Sequence, residues 1–382
     1  MPSLLSIASN LERQPRCDKP SMADRLWEMY NDRHRGRPGQ AGRGTMRLGE
    51  ELRCAIASVS SACRLCEAVR AEMDPASMLI KGDLSPVTVA DFCAQALISH
   101  ALGTAFPGDP LVAEEDADDL RSADRAPLRA TIMRHVHRAL PGLTEVEMVG
   151  AIAAGMYEGG ATGRFWTLDP IDGTKGFLRG GQFAIALALI ERGRVVLGVL
   201  GCPSLPHNAS DPASGRGCLF VAVRGLGATM QYLDGEFHRG EGQPIHVDSV
   251  SDPMEAKFCE SFEAAHSSHS DAAQIAELLG VTTPPVRMDS QCKYAAIARG
   301  DASIYLRLPT KTDYQEKIWD HAAGALLVEE AGGLVTDVSG NVLDFSKGRT
   351  LVANSGVVAT NGRFQKAVLE TVSRHMAMQK RS

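Results

Sequence analysis

The chain has 382 residues, 44% of them hydrophobic and 23% charged, with a formal net charge of −6. That length accommodates two domains and a sizeable buried core. The acidic balance, with no basic stripe, excludes non-specific nucleic-acid binding, and no apolar run approaches a membrane span. Nine scattered cysteines, an odd number without a framework, fit a reduced intracellular protein.

In chain order, residues 1–45 are rich in Arg, Pro and Gly, with RHRGRPGQAGRG as the extreme, and read as a disordered extension. A transit peptide to chloroplast or mitochondrion is the alternative to a cytoplasmic location; Glu12, Asp18, Asp24, Glu28 and Asp32 speak against it. The remainder is expected to divide into an α+β unit at 46–247 and a smaller α/β unit at 248–375. An amphipathic helix is predicted from about Leu48 to Met73. It carries CRLC, Cys63 to Cys66, which lacks a second Cys/His pair for zinc and reads as helix packing. Ser85-Pro86 opens another helix, with Ala90, Cys93, Ala94, Leu97, Ile98 and Ala101 on one face and Asp91 off that stripe, near the start. DPLVAEED reads as a short strand ending in Glu114, Glu115 and Asp116, and 118–163 as helical with few strong signals.

FWTLDPIDGTKGFLRG is the unusual stretch. An apolar strand ends in Asp169 and Asp172 within one tight turn, where two carboxylates repel unless one is protonated or a cation joins them. Gly173, Thr174 and Lys175 then open a short helix whose free amides suit a phosphate. Two hairpins follow, around Arg192-Gly193 and around Arg224–Gly227; the GLG of the second lacks a third glycine and a following helix, so it is no dinucleotide site. Beyond QPIHVD come the helix DAAQIAELLG, the strand SIYLRL, the helix HAAGALLVEEAGG and the strand LVTDVSG.

Acids thus recur at strand ends and helix starts: Asp91, Glu114, Asp169, Asp172 and Asp320. Oxygen ligands without interleaved Cys or His suit Mg²⁺, and two such ions within about 4 Å can clamp an in-line phosphoryl displacement. Each acid also has a bland reading. Asp320 alone serves as a helix N-cap before His321, Asp91 as a helix-start cap, and Glu115 to Asp119 as a solvated edge. Only Asp-x-x-Asp-Gly-Thr with its flanking strand resists such a reading.

At this point the sequence resembles the lithium-sensitive, Mg²⁺-dependent phosphatases related to inositol monophosphatase. DPIDGT stands where their signature does. SPVTVAD, VAEED, LDPIDGTKGFLRG, ESFEAAHSSH, DSQCKY, YLRLP and YQEKIWDHAAG resemble, in order, the 3′(2′),5′-bisphosphate nucleotidases of fungi and plants. The resemblance runs from about Leu48 to the C-terminal helix and implies a layered α/β sandwich, αβαβα, as in sugar phosphatases. It implies that Glu114, Asp169 and the Ile171 carbonyl hold one Mg²⁺, and that Asp169, Asp172 and Asp320 hold a second, with a third weaker ion near Glu114. It further implies that a metal-activated water passes its proton through Thr174 to Asp91. The nucleotide would meet Gly173, Thr174, His266, Ser290, Lys293, Arg307 and Asp320.

Taken singly, Arg307 also fits an edge of an alternating strand and His266 a loop without a role. Ala265 replaces a frequent family glycine beside His266, and 118–163 matches poorly. The expected enzyme is a monomer that hydrolyses 3′-phosphoadenosine 5′-phosphate to AMP and phosphate, also takes the sulfate-carrying analogue, and is inhibited by Li⁺. The alternatives are an inositol polyphosphate 1-phosphatase and, of another class, a catalytically silent nucleotide sensor.

Overall fold

The computed structural model describes residues 48–72, 86–233, 242–262, 269–309 and 314–379. The expected N-terminal extension, residues 1–45, lies outside them. Helix α1 (Leu48–Ala71) packs on α2 (Pro86–Ala105) and on the larger sheet, and buries Ala55, Ser58, Val59, Ala62, Cys63 and Cys66, of which Val59 and Cys63 lie against Gly201. The CRLC cysteines are therefore packing residues, and Cys66 Sγ lies 3.8 Å from the Ala90 carbonyl. Pro86 opens α2, where a missing N–H goes unmissed.

The predicted single apolar stripe of α2 is a misjudgement of scale: every residue from 89 to 99 is buried. Helices α1, α4 (Ala126–Val136) and α5 (Glu145–Ala153), together with strand β2 (Arg164–Asp172), surround it. Its buried polar residues, Asp91, Gln95 and Ser99, recur every four residues and so share one face. A four-residue helix, α3 (Asp118–Arg121), precedes α4.

Seven strands form one sheet in sequence order: β1 (Leu111–Ala113), β2, β3 (Ala184–Glu191), β4 (Arg194–Asn208), β5 (Asp211–Val223), β6 (Gly227–Tyr232) and β7 (Gln243–Ile245). Strand β1 runs parallel to β2 and the rest are antiparallel. Arg192 and Gly193, both with positive φ (50° and 73°), make the tight turn between β3 and β4. Strands β4 and β5 extend past the predicted hairpin through the polar DPASGRG, whose Gly215 and Gly217 take φ of 95° and 101°.

Alternation along β3 builds two cores at once. Ile185, Leu187 and Leu189 face α1 and α2, while Ala184, Ala186 and Ala188 face the other way. On that second side lie α8 (Cys292–Arg299) and α9 (Ala322–Glu330), the latter also alanine-rich. A Cβ at Gly198 would stand 3.1 Å from the Ala323 carbonyl, so small residues here set how closely helix meets sheet.

Beyond α8 and α9 comes a five-stranded sheet in the order β11 (Leu334–Thr336), β12 (Val357–Thr360), β10 (Ile304–Arg307), β8 (Phe258–Glu260), β9 (Val286–Arg287). Helices α7 (His269–Leu278) and α10 (Gln365–Gln379) cover its outer face, over Phe258, Ile304, Leu306 and Val358. The layers are helix, sheet, helix, sheet, helix: the expected αβαβα sandwich. Among the described residues, no helix is long and apolar enough to cross a membrane.

One arginine joins distant parts of this stack. Arg349 donates to the carbonyls of Ala113 (2.6 Å), Gly155 (3.0 Å) and Tyr157 (3.0 Å), and its guanidinium sits 4.9 Å from the Trp319 ring centre. Its own carbonyl accepts from Ile318 N. The end of β1 is thereby held against the segment that leads into α9. Arg349→Ala strips three carbonyls of a charged donor and is expected to destabilise by about 2–3 kcal/mol in urea unfolding, a loss that Lys does not restore because it lacks the planar fork. A change below about 0.5 kcal/mol would show that water replaces the guanidinium without penalty.

Candidate active site

The register of β2 explains why two aspartates share one turn. Asp169 pairs with Ala186 and Asp172 with Ala184, so β2 advances three residues while β3 moves two. Residues three apart on a regular strand face opposite sides; the extra residue of the bulge returns Asp172 to the side of Asp169. Pro170 sits within the bulge, where a missing ladder donor is tolerated. Gly173, at φ 85°, ends the strand, and Thr174 begins α6 (Thr174–Leu178).

Carboxylates converge on Asp169 from three further elements. Glu114 follows β1, Asp91 lies on α2 and Asp320 precedes α9. Burial pushes Asp169 well above the usual carboxylate range, and the charges of Glu114, Asp172, Asp320 and Asp91 push it further. Asp169 Oδ1 is buried with no hydrogen-bond partner. Glu114 is exposed as a residue but turns its carboxyl toward Asp169. Loss of water there, then the charge of Glu115, lifts it to about 7 against the pull of a hydrogen bond with Asp169. Burial also lifts Asp320 to about 7, against Arg307 and His321 and with Asp172 and Glu114 adding to the rise. Asp91 is raised by burial, then by Glu115 and Glu114. So many acids cannot all be ionised near neutral pH without a cation among them.

Backbone clamps fix this geometry. Gln95, one turn beyond Asp91 on the same face of α2, donates to the carbonyls of Glu115 (2.7 Å) and Ile152 (3.0 Å) and accepts from Glu115 N at 3.0 Å. Thr174 Oγ1 donates to the Ile171 carbonyl at 3.5 Å. Helices α2 and α6, which carry Asp91 and Thr174, pack on each other.

The smaller sheet's side meets the turn through the start of α8. Gln291 N donates to Asp172 Oδ2 at 2.6 Å, and its side chain donates to the Trp319 carbonyl while accepting from Gly324 N. Ser290 takes the left-handed conformation, φ 65°, which costs a non-glycine residue about 1–2 kcal/mol. A Cβ at Gly173 would come within 2.7 Å of Ser290 Cβ. The turn and the helix start therefore nest tightly, and only glycine fits opposite Ser290.

Two cations border the cleft, Lys293 buried and Arg307 partly buried. Lys293 lies under the Tyr305 ring, its Nζ 5.4 Å from the centre, and burial pulls its pKa below the usual lysine range against the pull of Asp172. Arg307 stands closer to the acids than the sequence suggests: Nη2 lies 2.7 Å from Glu316 Oε2 and 3.4 Å from Asp320 Oδ2. Burial works against its charge, but Glu316, Tyr305 and Asp320 hold it ionised. Asp320 is not a helix cap, since His321 occupies that position without a side-chain cap bond.

The structure thus brings together Asp91, Glu114, Asp169, Ile171, Asp172, Gly173, Thr174, Ser290, Lys293, Arg307 and Asp320; His266 lies outside the described residues. Gln95, Gln291, Glu316, His321 and Arg349 are the partners that sequence reasoning missed. Glu316 stood in view in YQEKIWD, four residues before Asp320, and nothing but its spacing singled it out.

Comparison with known proteins concerns the fold and the chain as a whole. The model of the inositol monophosphatase family matches residues 50–377. A protein of Schizosaccharomyces pombe named 3′(2′),5′-bisphosphate nucleotidase is 46% identical over 344 residues, covering 86% of this chain and 96% of its own. One of the same name from Oryza sativa is 47% identical, covering 84% and 93%, and one from Emericella nidulans is 49% identical, covering 77% and 89%. Among solved structures, the IMPase of Thermotoga maritima superposes with a TM-score of 0.56 at 21% identity, covering 86% of this chain and 98% of its own. With the family model spanning nearly every described element, the chain belongs to the inositol monophosphatase family.

Proposed function

We propose that the chain is a 3′(2′),5′-bisphosphate nucleotidase, which hydrolyses the 3′-phosphate of adenosine 3′,5′-bisphosphate to AMP and phosphate and also takes the sulfate-carrying analogue. The observation that carries this reading is the partnerless, buried Asp169 Oδ1, ringed by four other acids and bordered by a buried lysine and a partly buried arginine. The names of relatives at 46–49% identity support the nucleotide.

The donor set fits Mg²⁺, because every side-chain donor is a carboxylate and one such oxygen lacks any other partner. Glu114, Asp169, Asp172 and Asp320, with the Ile171 carbonyl, would hold it. Bound there, it would supply Lewis acidity toward water and the phosphoryl oxygens. Thr174 and Asp91 take the proton of the attacking water: α2 packs on α6, and Asp91, in the carboxylate form that a cation bound nearby would favour, is a base made stronger by its burial. Attack on phosphorus breaks the bond to the 3′ oxygen, which leaves and takes up a proton. Lys293 and Arg307, with Ser290, Gly173 and His266, hold the nucleotide and its other phosphate.

Phosphate release from adenosine 3′,5′-bisphosphate, inositol 1,4-bisphosphate and inositol 1-phosphate, each with Mg²⁺ and with or without Li⁺, tests the reading. The nucleotide is expected to be preferred and its turnover suppressed by Li⁺; preference for an inositol phosphate would overturn it. Asp169→Asn is expected to lower turnover by about a thousandfold or more, since one site acid is worth several kcal/mol of charge stabilisation. Activity like that of the wild type would remove Asp169 from the metal set.

The raised acids also set a pH dependence. A carboxyl whose folded pKa exceeds its unfolded value lends stability below the unfolded value and loses it as pH rises through the folded one. For Glu114 and Asp320 that window runs from their ordinary values of 4.5 and 3.8 up to about 7. Melting temperatures in chelator are expected to fall from about pH 5 to pH 8 and to flatten in excess Mg²⁺. A profile indifferent to Mg²⁺ would count against a metal among these acids.

A further inference from the structure

Behind Asp320 runs a chain of buried polar groups that the proposed reaction does not use. Tyr294 Oη lies 2.7 Å from His321 Nδ1, and His321 Nε2 lies 3.1 Å from Glu316 Oε2. That same oxygen accepts from Arg307 Nη2, which in turn reaches Asp320. All three residues behind Arg307 are buried, His321 fully. One tautomer satisfies both ends, with Nε2–H donating to the carboxylate and Nδ1 accepting the tyrosine proton, an assignment made from the network.

Glu316, Asp320 and His321 each place a ligand atom within 4.8 Å of the others, a spacing that a metal ion could use. The bonds in place argue otherwise. Both nitrogens of His321 are engaged, and the Glu316 oxygen already meets a guanidinium. The packing is also built for the chain. A Cβ at Gly324 would stand 2.3 Å from Tyr294 Cδ2, so glycine there lets α9 close on the tyrosine, while Tyr305 packs edge-on against the same ring at 5.1 Å.

We propose that Tyr294, His321 and Glu316 are positioning residues that fix Arg307 at the edge of the cleft, ready for a substrate phosphate, and that Glu316 is not a metal ligand. This rests on the nucleotidase reading above. Ordering a long, flexible cation at the moment of binding costs affinity, and a guanidinium already held in one geometry avoids that loss. The effect belongs to the substrate with a second phosphate and not to hydrolysis as such.

Two variants test it. Tyr294→Phe removes one hydroxyl and keeps the ring; Glu316→Gln keeps the shape and removes the charge. KM and kcat would be measured on adenosine 3′,5′-bisphosphate and on p-nitrophenyl phosphate, with Mg²⁺ affinity by calorimetry in the absence of substrate. KM for the bisphosphate is expected to rise about tenfold in Glu316→Gln and about threefold in Tyr294→Phe, with monoester KM and Mg²⁺ affinity within about twofold. Equal losses on both substrates, or no loss on either, overturn the proposal. So does a Mg²⁺ affinity lowered about tenfold in Glu316→Gln, which would make Glu316 a ligand. Should Glu316→Gln fail to fold, Tyr294→Phe decides on the same criteria. A wild-type chain that ignores the bisphosphate sinks the functional reading and this proposal together, and shows itself before any variant is made; a wild-type chain that uses it, with variants unaltered, sinks the positioning role alone.

Discussion

Between Asp169 and Asp172, β2 gains one residue on β3, and that residue turns toward one cleft two carboxylates that a regular strand would send to opposite faces. Everything else at the site answers to this. Gly173 must take a left-handed turn directly afterwards, and its missing side chain is the space into which Ser290 fits. Gln291 then follows Ser290 and donates its amide to Asp172. A bulge in the larger sheet and a strained residue ahead of α8 are thus two halves of one joint.

That joint explains how an acidic cleft survives in a folded chain. Five carboxylates around one point oppose folding when ionised, and burial makes Asp169, Asp320, Glu114 and Asp91 harder to ionise. The surroundings oppose relaxation by gripping the backbone on every side. Gln95 holds the Glu115 backbone, Arg349 holds the Ala113 carbonyl, and Gln291 spans Asp172, Trp319 and Gly324. None of these clamps uses a carboxylate except at Asp172. The acids keep their oxygens facing the cleft because the peptide groups beside them are satisfied elsewhere.

How much of this could be read beforehand depended on the range of each signal. The hairpins at Arg192-Gly193 and 224–227, the strand after Pro110 and the entry of α2 at Pro86 are local, and turn chemistry or periodicity marks them. The Asp-x-x-Asp-Gly-Thr turn was legible because two like charges ending an apolar strand conflict with every local preference. Asp91 was ambiguous for the opposite reason. On an isolated helix it reads as a cap, and only the burial of α2 on every side makes its carboxyl costly enough to require a role. Gln291, Arg349 and His321 act across 27 or more residues of chain, or through a partner's partner, and their spacing carries no periodic mark. The length of β4 and β5 was missed because DPASGRG reads as a loop by composition, whereas pairing across the hairpin extends the ladder through it.

The placement of Arg307 bears on how one cleft serves two kinds of charge. A guanidinium 3.4 Å from Asp320 steadies that acid, and Glu316, held to about 2 against burial chiefly by His321 and then by Arg307, balances the guanidinium. The acid cluster and the cationic border are therefore one continuous array and not two pockets. Lys293 completes it, buried against Tyr305 and within the field of Asp172. The acids gather around the bulge, and each neighbouring positive charge is pinned by an aromatic ring or an acid that lies outside it. The acids gathered around the bulge and the cations on its border thus stand within the width of a few side chains of one another.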